Sequence, residues 1–493
     1  MQVKAENYEK QHRKGKLHAR ERIEKLFDPN TFHEIGAGIS GELEGKTLDG
    51  DGVITGYGLI NSKLVYIYAQ DFTICGGTLG RKHGKKIVNV MKKAIKYRCP
   101  IIGINDSGGA RIQEGIKALS TYGEIFYHNT LASGYIPQIS IMSGPCAGGA
   151  VYSPGLTDFV FVIDHISKMF VTGPKVVKEV TGEEASEEQL GGAGIHAGVS
   201  GVAHVFCRSE EECYEKVREL LSLLYLKKIG YKKLLLPHGN GRCDLSHVVP
   251  LNSRCIYDVK KVIRRIVDNN TFYEIQERFA KNIVVGFARI DGRSVGIVAN
   301  QPKEMCGVLD CNCSAKAARF IRFCNAFEIP LVTLVDVPGF MPGIQQETNG
   351  IIRHGAKLLY AYAEADVFKI TVVLRKAYGG AYIAMCCKSM GADFVYAWPI
   401  AEISVMGAEG AVPILYGKTL RNMEPDAKEE FMKEKTYEYK RNFMNINMAV
   451  EEGLVDEIIE PNQTREKIIA AFVNDRKTNP VRTLLKKCGN IPL

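Results

Sequence analysis

Pro100-Ile101-Ile102-Gly103-Ile104-Asn105-Asp106-Ser107-Gly108-Gly109 reads as a buried apolar strand running straight into a glycine-bearing loop. Upstream, Leu64-Val65-Tyr66-Ile67-Tyr68-Ala69 has the composition of another strand, and residues 85–97 carry the spacing of an amphipathic helix. Downstream, Ala147-Gly148-Gly149-Ala150 closes a further apolar run and leads into residues that open a helix. Strands alternating with helices predict an α/β layered core with parallel pairing.

The same order of signals recurs. Val53-Ile54-Thr55-Gly56-Tyr57-Gly58 has its counterpart in Ile283-Val284-Val285-Gly286-Phe287-Ala288, an offset of 230 that also relates Lys86 to Lys316, Pro100 to Pro330 and Asp106 to Asp336. Ala147-Gly148-Gly149-Ala150 returns as Tyr378-Gly379-Gly380-Ala381, and the stretch from Asp28 to Ile35 as that from Asp268 to Ile275. An ordered set of matches at near-constant offset is the mark of a duplicated domain. We therefore expect an N-terminal domain over residues 1–240 and a C-terminal one over 241–493. Ser209 and Glu212 predict a capped helix before the boundary, and Leu236-Pro237-His238-Gly239-Asn240-Gly241 predicts its break.

Composition agrees with two globular cores. The 493 residues are 45% hydrophobic and 24% charged, and no apolar run approaches the ~20 residues of a membrane helix. The N-terminus lacks the apolar core of a signal peptide, so a cytoplasmic protein is expected. A net charge of +9 is too dilute for a nucleic-acid binder. The basic clusters at Arg13–Lys16 and Arg81–Lys86 are expected on solvated faces, with phosphate contact the alternative. The 14 cysteines include no C-x-x-C pair, which predicts buried free thiols and no metal in this chain.

Both halves carry a loop (Gly108-Gly109-Ala110; Pro338-Gly339-Phe340) and, about 40 residues later, a Gly-Gly-Ala at a helix start. Glycine lets the backbone approach a ligand, and a helix start leaves N–H groups unpaired. One amide from each would form a two-donor cradle for a developing oxyanion. Asp106-Ser107-Gly108 is no nucleophile elbow, because position 105 is Asn rather than Gly. His128, His196, His204 and His354 are expected to be structural.

Three N-terminal stretches carry a resemblance: Lys14-Gly15-Lys16-Leu17-His18-Ala19-Arg20-Glu21-Arg22, Asn105 to Gly115, and Gly144-Pro145-Cys146-Ala147-Gly148-Gly149-Ala150. With Asp336-Val337-Pro338-Gly339-Phe340-Met341-Pro342-Gly343 and Arg375-Lys376-Ala377-Tyr378-Gly379-Gly380-Ala381, they resemble the acyl-CoA carboxyltransferases. That family includes the β subunits of propionyl-CoA carboxylases, the α subunits of methylmalonyl-CoA decarboxylases and the large subunit of transcarboxylase. The resemblance implies two crotonase-like domains, a homohexamer, and a site shared between the N-domain of one subunit and the C-domain of another. Coenzyme A would lie on the N-domain. Biotin, on a separate biotin carboxyl carrier protein, would lie on the C-domain. Carried over by motif, Ala110 and Gly149 would hold the acyl thioester oxygen, and Phe340 and Gly380 the ureido oxygen of biotin. Gly109, Gly148, Ala150, Gly379, Ala381 and Ile383 would complete the substrate-binding set, with Gly148 and Ala381 as alternative donors. The acyl enolate would attack CO2 without a side-chain base.

Ile383 stands where the propionyl-CoA enzymes are associated with Asp and the decarboxylase and transcarboxylase chains with an aliphatic residue. The sequence has no biotin-accepting Ala-Met-Lys-Met, so a biotin carboxylase subunit or membrane decarboxylase subunits must complete the system. A crotonase-type hydratase or isomerase needs only one such domain. A non-catalytic scaffold would have let one glycine set decay.

Overall fold

The computed structural model describes residues 2–224, 244–475 and 490–492. The chain divides into two compact units, Met1–Tyr231 with Gln276–Phe279, and Lys232–Ile275 with Ala280–Leu493. Each contains an eight-stranded sheet. In the first the order is His33–Glu34, Val53–Ile60, Lys63–Gln70, Ile101–Ser107, Gln138–Ala147, Phe159–Ile163 and Val205–Cys207, with Lys168–Phe170 pairing beside the end of Gln138–Ala147. In the second it is Phe272–Ile275, Ile283–Ile290, Arg293–Asn300, Leu331–Val337, Lys369–Tyr378, Phe394–Ala397 and Glu457–Ile458, with Glu402–Ser404 in the corresponding side position.

Pairing is parallel from the third strand of each order onward, as the strand-helix alternation predicts. The first three strands differ from that expectation: each pairs antiparallel with its neighbour. The physical reason is connection length, since Asn61 and Ser62 alone join Val53–Ile60 to Lys63–Gln70 and only an antiparallel turn is that short. Asn61 and Ser62 both have positive φ, the condition for such a two-residue turn.

The helix expected over 85–97 begins earlier, at Arg81, and runs to Tyr97; its counterpart is Cys311–Ala326. Apolar residues of these helices close one sheet face, where Ile87, Val90 and Met91 join a core containing Tyr68, Ile101 and Met142. In the second unit the single tryptophan, Trp398, is buried among Ile297, Leu334 and Val372, with its indole N–H donated to Thr464 Oγ1 at 3.0 Å.

The duplication extends to side-chain chemistry. Lys86 Nζ donates to Val53 O (2.5 Å) and Lys316 Nζ to Ile283 O (2.8 Å), each tying the helix to the start of the first long strand. Asp28 accepts Ser62 N–H and pairs with Arg218 at 2.6 Å, as Asp268 accepts Gly292 N–H and pairs with Arg465 at 2.6 Å. The solvated-face expectation therefore fails for part of both basic clusters. Lys16, His83 and Lys86 are buried, because their polar ends have partners inside. Nine of the twelve described cysteines are buried, as expected, but Cys255 and Cys306 are exposed. Ser209 caps Glu210–Leu223, whereas Glu212 reaches the Arg208 N–H instead of closing the box on Ser209. The predicted break at 236–241 lies outside the described residues.

His83 is a pH liability built into this core. Its Nδ1–H donates to Asp51 O (2.8 Å), so Nε2 accepts from Gln70 Nε2–H (3.3 Å). Burial pushes its pKa down to about 3, with Arg111 and Lys86 adding to the effect. A depressed histidine contributes stability that is present above the ordinary value of 6.5 and is lost as pH falls toward 3. Between pH 7 and 5 the wild type should lose about 2 kcal/mol more unfolding free energy than His83→Gln, measured by urea denaturation.

Candidate active site

The two candidate corners form where parallel strands end. In the first unit, Ile101–Ser107 leads into a loop that makes an isolated bridge between Leu79 and Ala110. Leu79 N–H donates to Gly109 O (2.9 Å) and Arg111 N–H to Leu79 O (3.0 Å). Gly108 N–H goes to Gly76 O and Gly109 N–H to Ser107 Oγ. Ala110 N–H, between them, has no hydrogen-bond partner among the described residues. In the second unit Leu309 N–H donates to Gly339 O (3.0 Å) and Met341 N–H to Leu309 O (2.7 Å). Phe340 N–H is left unpartnered in the same way.

The alternation has a simple cause. A parallel bridge engages every second residue of the loop, so the residue between two engaged neighbours turns its amide the other way. Gly109 has φ +102, and a Cβ there would sit 2.9 Å from Ala147 O. Only glycine fits a backbone so close to the end of the adjacent strand.

That adjacent strand, Gln138–Ala147, passes through Gly148 at φ +62 into the turn Gly148–Val151. Lys369–Tyr378 passes through Gly379 at φ +59 into the helix Gly379–Ala384. Neither start has a side-chain cap. Gly149 and Gly380 are second residues of these turns, where a helix offers the N–H no partner. A Cβ on Gly149 would touch Tyr122 Cδ2 at 3.4 Å, and one on Gly380 would meet nothing nearer than Phe340 Cε2 at 4.0 Å.

Each sequence-predicted residue has a definite place. Ala110, Gly149 and Phe340 are half-buried and Gly380 is exposed. Gly148 and Gly379 supply the left-handed turn, while Gly109, Ala150 and Ala381 are buried. Ile383, one turn beyond Gly380, is exposed. Ser107 is a loop cap, as its hydrogen bond to Gly109 demonstrates. His128, His196 and His204 are engaged by main chain: His128 with Glu124 O, His196 with Met169 O, and His204 with Val160 N–H. His354 differs, since its Nδ1 is buried without a partner among the described residues.

Sequence reading missed the charged residues behind the first loop. Arg111, next to the free amide, is fully buried and pairs with Asp51 Oδ1 at 2.6 Å, tying the loop to the start of Val53–Ile60. Asp106 is buried against Lys16 and Arg22; burial raises its carboxyl above the usual range while both cations pull it back. Burial likewise holds the Lys16 ammonium below its ordinary value, against the pull of Asp106. A signal did exist: a carboxylate inside an apolar strand requires a buried cation. What the sequence does not say is which of 64 Lys and Arg residues supplies it.

Comparison with known proteins gives a consistent result. Residues 10–491 match the carboxyl transferase domain. The chain is 52% identical to the methylmalonyl-CoA decarboxylase subunit alpha of Veillonella parvula, over 98% of this chain and 95% of that one. It is 49% identical to the propionyl-CoA carboxylase beta chain of Roseobacter denitrificans, at the same coverages. Its structure matches that of transcarboxylase 12S, a hexamer seen with methylmalonyl-coenzyme A and methylmalonic acid bound. That match has a TM-score of 0.92 and 47% identity over 99% of this chain and 94% of that one. The fold is thus the duplicated α/β architecture that the repeats predict, in the crotonase-like form that the resemblance implies.

Among Gly108, Gly109, Gly148 and Gly149, position 109 is the least replaceable. Gly109→Ala should lower the unfolding free energy by about 1–3 kcal/mol, read from urea denaturation, whereas Gly149→Ala should stay within ~1 kcal/mol of wild type.

Proposed function

The chain belongs to the carboxyl transferase family, and on that premise we propose that it is the carboxyltransferase component of a biotin-dependent acyl-CoA carboxylase or decarboxylase. Its acyl pair is propionyl-CoA and methylmalonyl-CoA, the compounds in the names of the relatives it matches. The N-terminal domain takes the acyl-CoA and the C-terminal domain takes biotin, on a separate carrier protein. It works as a homohexamer in the cytoplasm beside a biotin carboxylase subunit or membrane decarboxylase subunits. No helix among the described residues is long and apolar enough to cross a membrane.

One observation carries the reading: each half leaves one loop amide, Ala110 or Phe340, unpartnered beside a glycine turn whose second amide has no intrahelical acceptor. Ala110 and Gly149 hold the thioester oxygen as negative charge builds on it during enolate formation. Phe340 and Gly380 hold the ureido oxygen of biotin, and the open space around Gly380 fits a group of that size. Biotin, when bound, delivers the carboxyl group in one direction and accepts it in the other. Each amide is aimed by the loop or turn that carries it, so it solvates the oxyanion with little reorganisation. Losing one such donor costs about 3 kcal/mol of transition-state stabilisation. Ile383 presents a methyl-rich surface one turn from Gly380, suited to a short alkyl group and favouring the decarboxylase or transcarboxylase branch.

Two measurements test this. The purified chain, incubated with free biotin and methylmalonyl-, malonyl- or glutaconyl-CoA, should release carboxylate from methylmalonyl-CoA alone. If none of the three reacts, with biotin or with a biotinylated carrier, the reading fails. Gly380→Pro deletes one N–H at a helix position that tolerates proline. It should lower kcat about 10²–10³-fold, whereas Gly380→Ala, which keeps the N–H, should retain most of it.

A further inference from the structure

The strands that carry the donors do not pair evenly. In the first unit the register runs to Asn105↔Met142 and resumes at Ser107↔Cys146; in the second it runs to Val335↔Val373 and resumes at Val337↔Ala377. One residue, Asp106 or Asp336, therefore faces three on the neighbouring strand: Ser143-Gly144-Pro145 or Leu374-Arg375-Lys376. Such a bulge leaves backbone groups without ladder partners. Buried groups of that kind must find others.

Both halves fill the gap with an aspartate and an arginine. Asp336 accepts Lys376 N–H (3.2 Å) and Arg375 Nε–H (3.0 Å), and Arg375 Nη1 goes on to the carbonyls of Pro250, Asn252 and Cys255. In the first half the place of Arg375 is taken by Gly144 and that of Lys376 by Pro145, which has no N–H to give. The guanidinium arrives instead from a distant helix, Ala19–Leu26. Arg22 Nη1 donates to Asp106 Oδ2 (2.9 Å) and Nη2 to Ser143 O (2.9 Å), and Lys16 Nζ reaches Asp106 Oδ1 (2.9 Å). A Cβ at position 144 would lie 1.9 Å from Asp106 Oδ1, so glycine there makes room for the carboxylate. The two aspartates are also clamped by their own backbone. Asp106 N–H donates to Gln70 Oε1 (3.1 Å) and Asp336 N–H to Asn300 Oδ1 (3.3 Å). Their carbonyls abut Gly77 and Gly307, where a Cβ would come within 2.1 and 2.8 Å.

Two halves that obtain the guanidinium from different places, yet set it on the same carboxylate in the same gap, point to a shared task for the pair. We propose that Asp106 and Asp336 are positioning residues: each, with its arginine, props the bulge open and so sets the spacing between the loop amide four residues beyond it and the facing glycine-turn amide. The inference rests on the reading of Ala110, Gly149, Phe340 and Gly380 as oxyanion donors. It assigns no contact with substrate to either aspartate. Displacement of a donor by an ångström costs turnover far more than binding.

The test uses the full chain in biotin-dependent decarboxylation of methylmalonyl-CoA, with thermal unfolding to count folded molecules. Asp106→Asn and Asp336→Asn should each lower kcat per folded molecule by about 10²-fold, with KM for methylmalonyl-CoA within about twofold of wild type. A purely structural role predicts unchanged kcat per folded molecule and a lowered melting temperature; that result overturns the proposal. Should the Asn variants not fold, Arg375→Lys and Arg22→Lys keep the charge but not the fork. A smaller loss of kcat at unchanged KM then supports the proposal, and wild-type kcat overturns it. Gly380→Pro separates the two levels. If it keeps full turnover, the donor reading itself has failed. If it loses turnover while the aspartate variants keep theirs, only the positioning role is wrong.

Discussion

A carboxylate without solvent, lodged where two parallel strands fall out of step, is the constraint on which the rest of each domain depends. Removing a carboxylate from water is costly unless charge and hydrogen bonds meet it inside. Asp106 and Asp336 are met on both sides: by a guanidinium at the side chain, and by an amide oxygen at the main-chain N–H. Past that point the two strands pair once more, Ser107 with Cys146 and Val337 with Ala377, and then diverge into a loop and a glycine turn. The unpartnered amides lie just past that divergence.

Main-chain donors suit the chemistry proposed for them. Enolate-forming steps place negative charge on an oxygen, and an N–H already aimed at that oxygen stabilises the charge without titrating or changing rotamer. The chain then has no need of a triad, which agrees with the commitment of Ser107 and of His128, His196 and His204 to local hydrogen bonds. The selectivity of such a site resides in what surrounds the donors. Here the halves differ, with Tyr122 beneath Gly149 in one and Phe340 beside Gly380 in the other.

Duplication followed by divergence also explains why the basic clusters mislead a linear reading. A helix of the second unit begins Cys311-Asn312-Cys313, whereas its counterpart begins Arg81-Lys82-His83. The second cluster lies at the N-terminal end of its helix, yet His83 and Lys86 turn inward to Asp51 and Val53 while Arg81 and Lys82 stay exposed. Helical periodicity alone separates these faces; residue type does not. The antiparallel start of each sheet is a second case, since the Asn61-Ser62 link, like Asp291-Gly292 in the second sheet, is too short for the crossover that parallel pairing requires.

The sequence by itself determined the duplication, the α/β class, the strand and helix order, and the two glycine sets with their spacing. All of these are encoded locally or by self-comparison: apolar period, turn residues, and a repeat read against its own copy. It also related Asp106 to Asp336, as matching positions of the repeat. Only the tertiary structure decided that Arg22 reaches Asp106 across 84 residues while Arg375 reaches Asp336 across 39. Only it decided that the amides of Gly108, Gly109 and Arg111 are engaged and that of Ala110 is not. A partner's identity and an amide's direction depend on which distant segment arrives at a strand end, and that is a property of three-dimensional packing with no local signature in the chain.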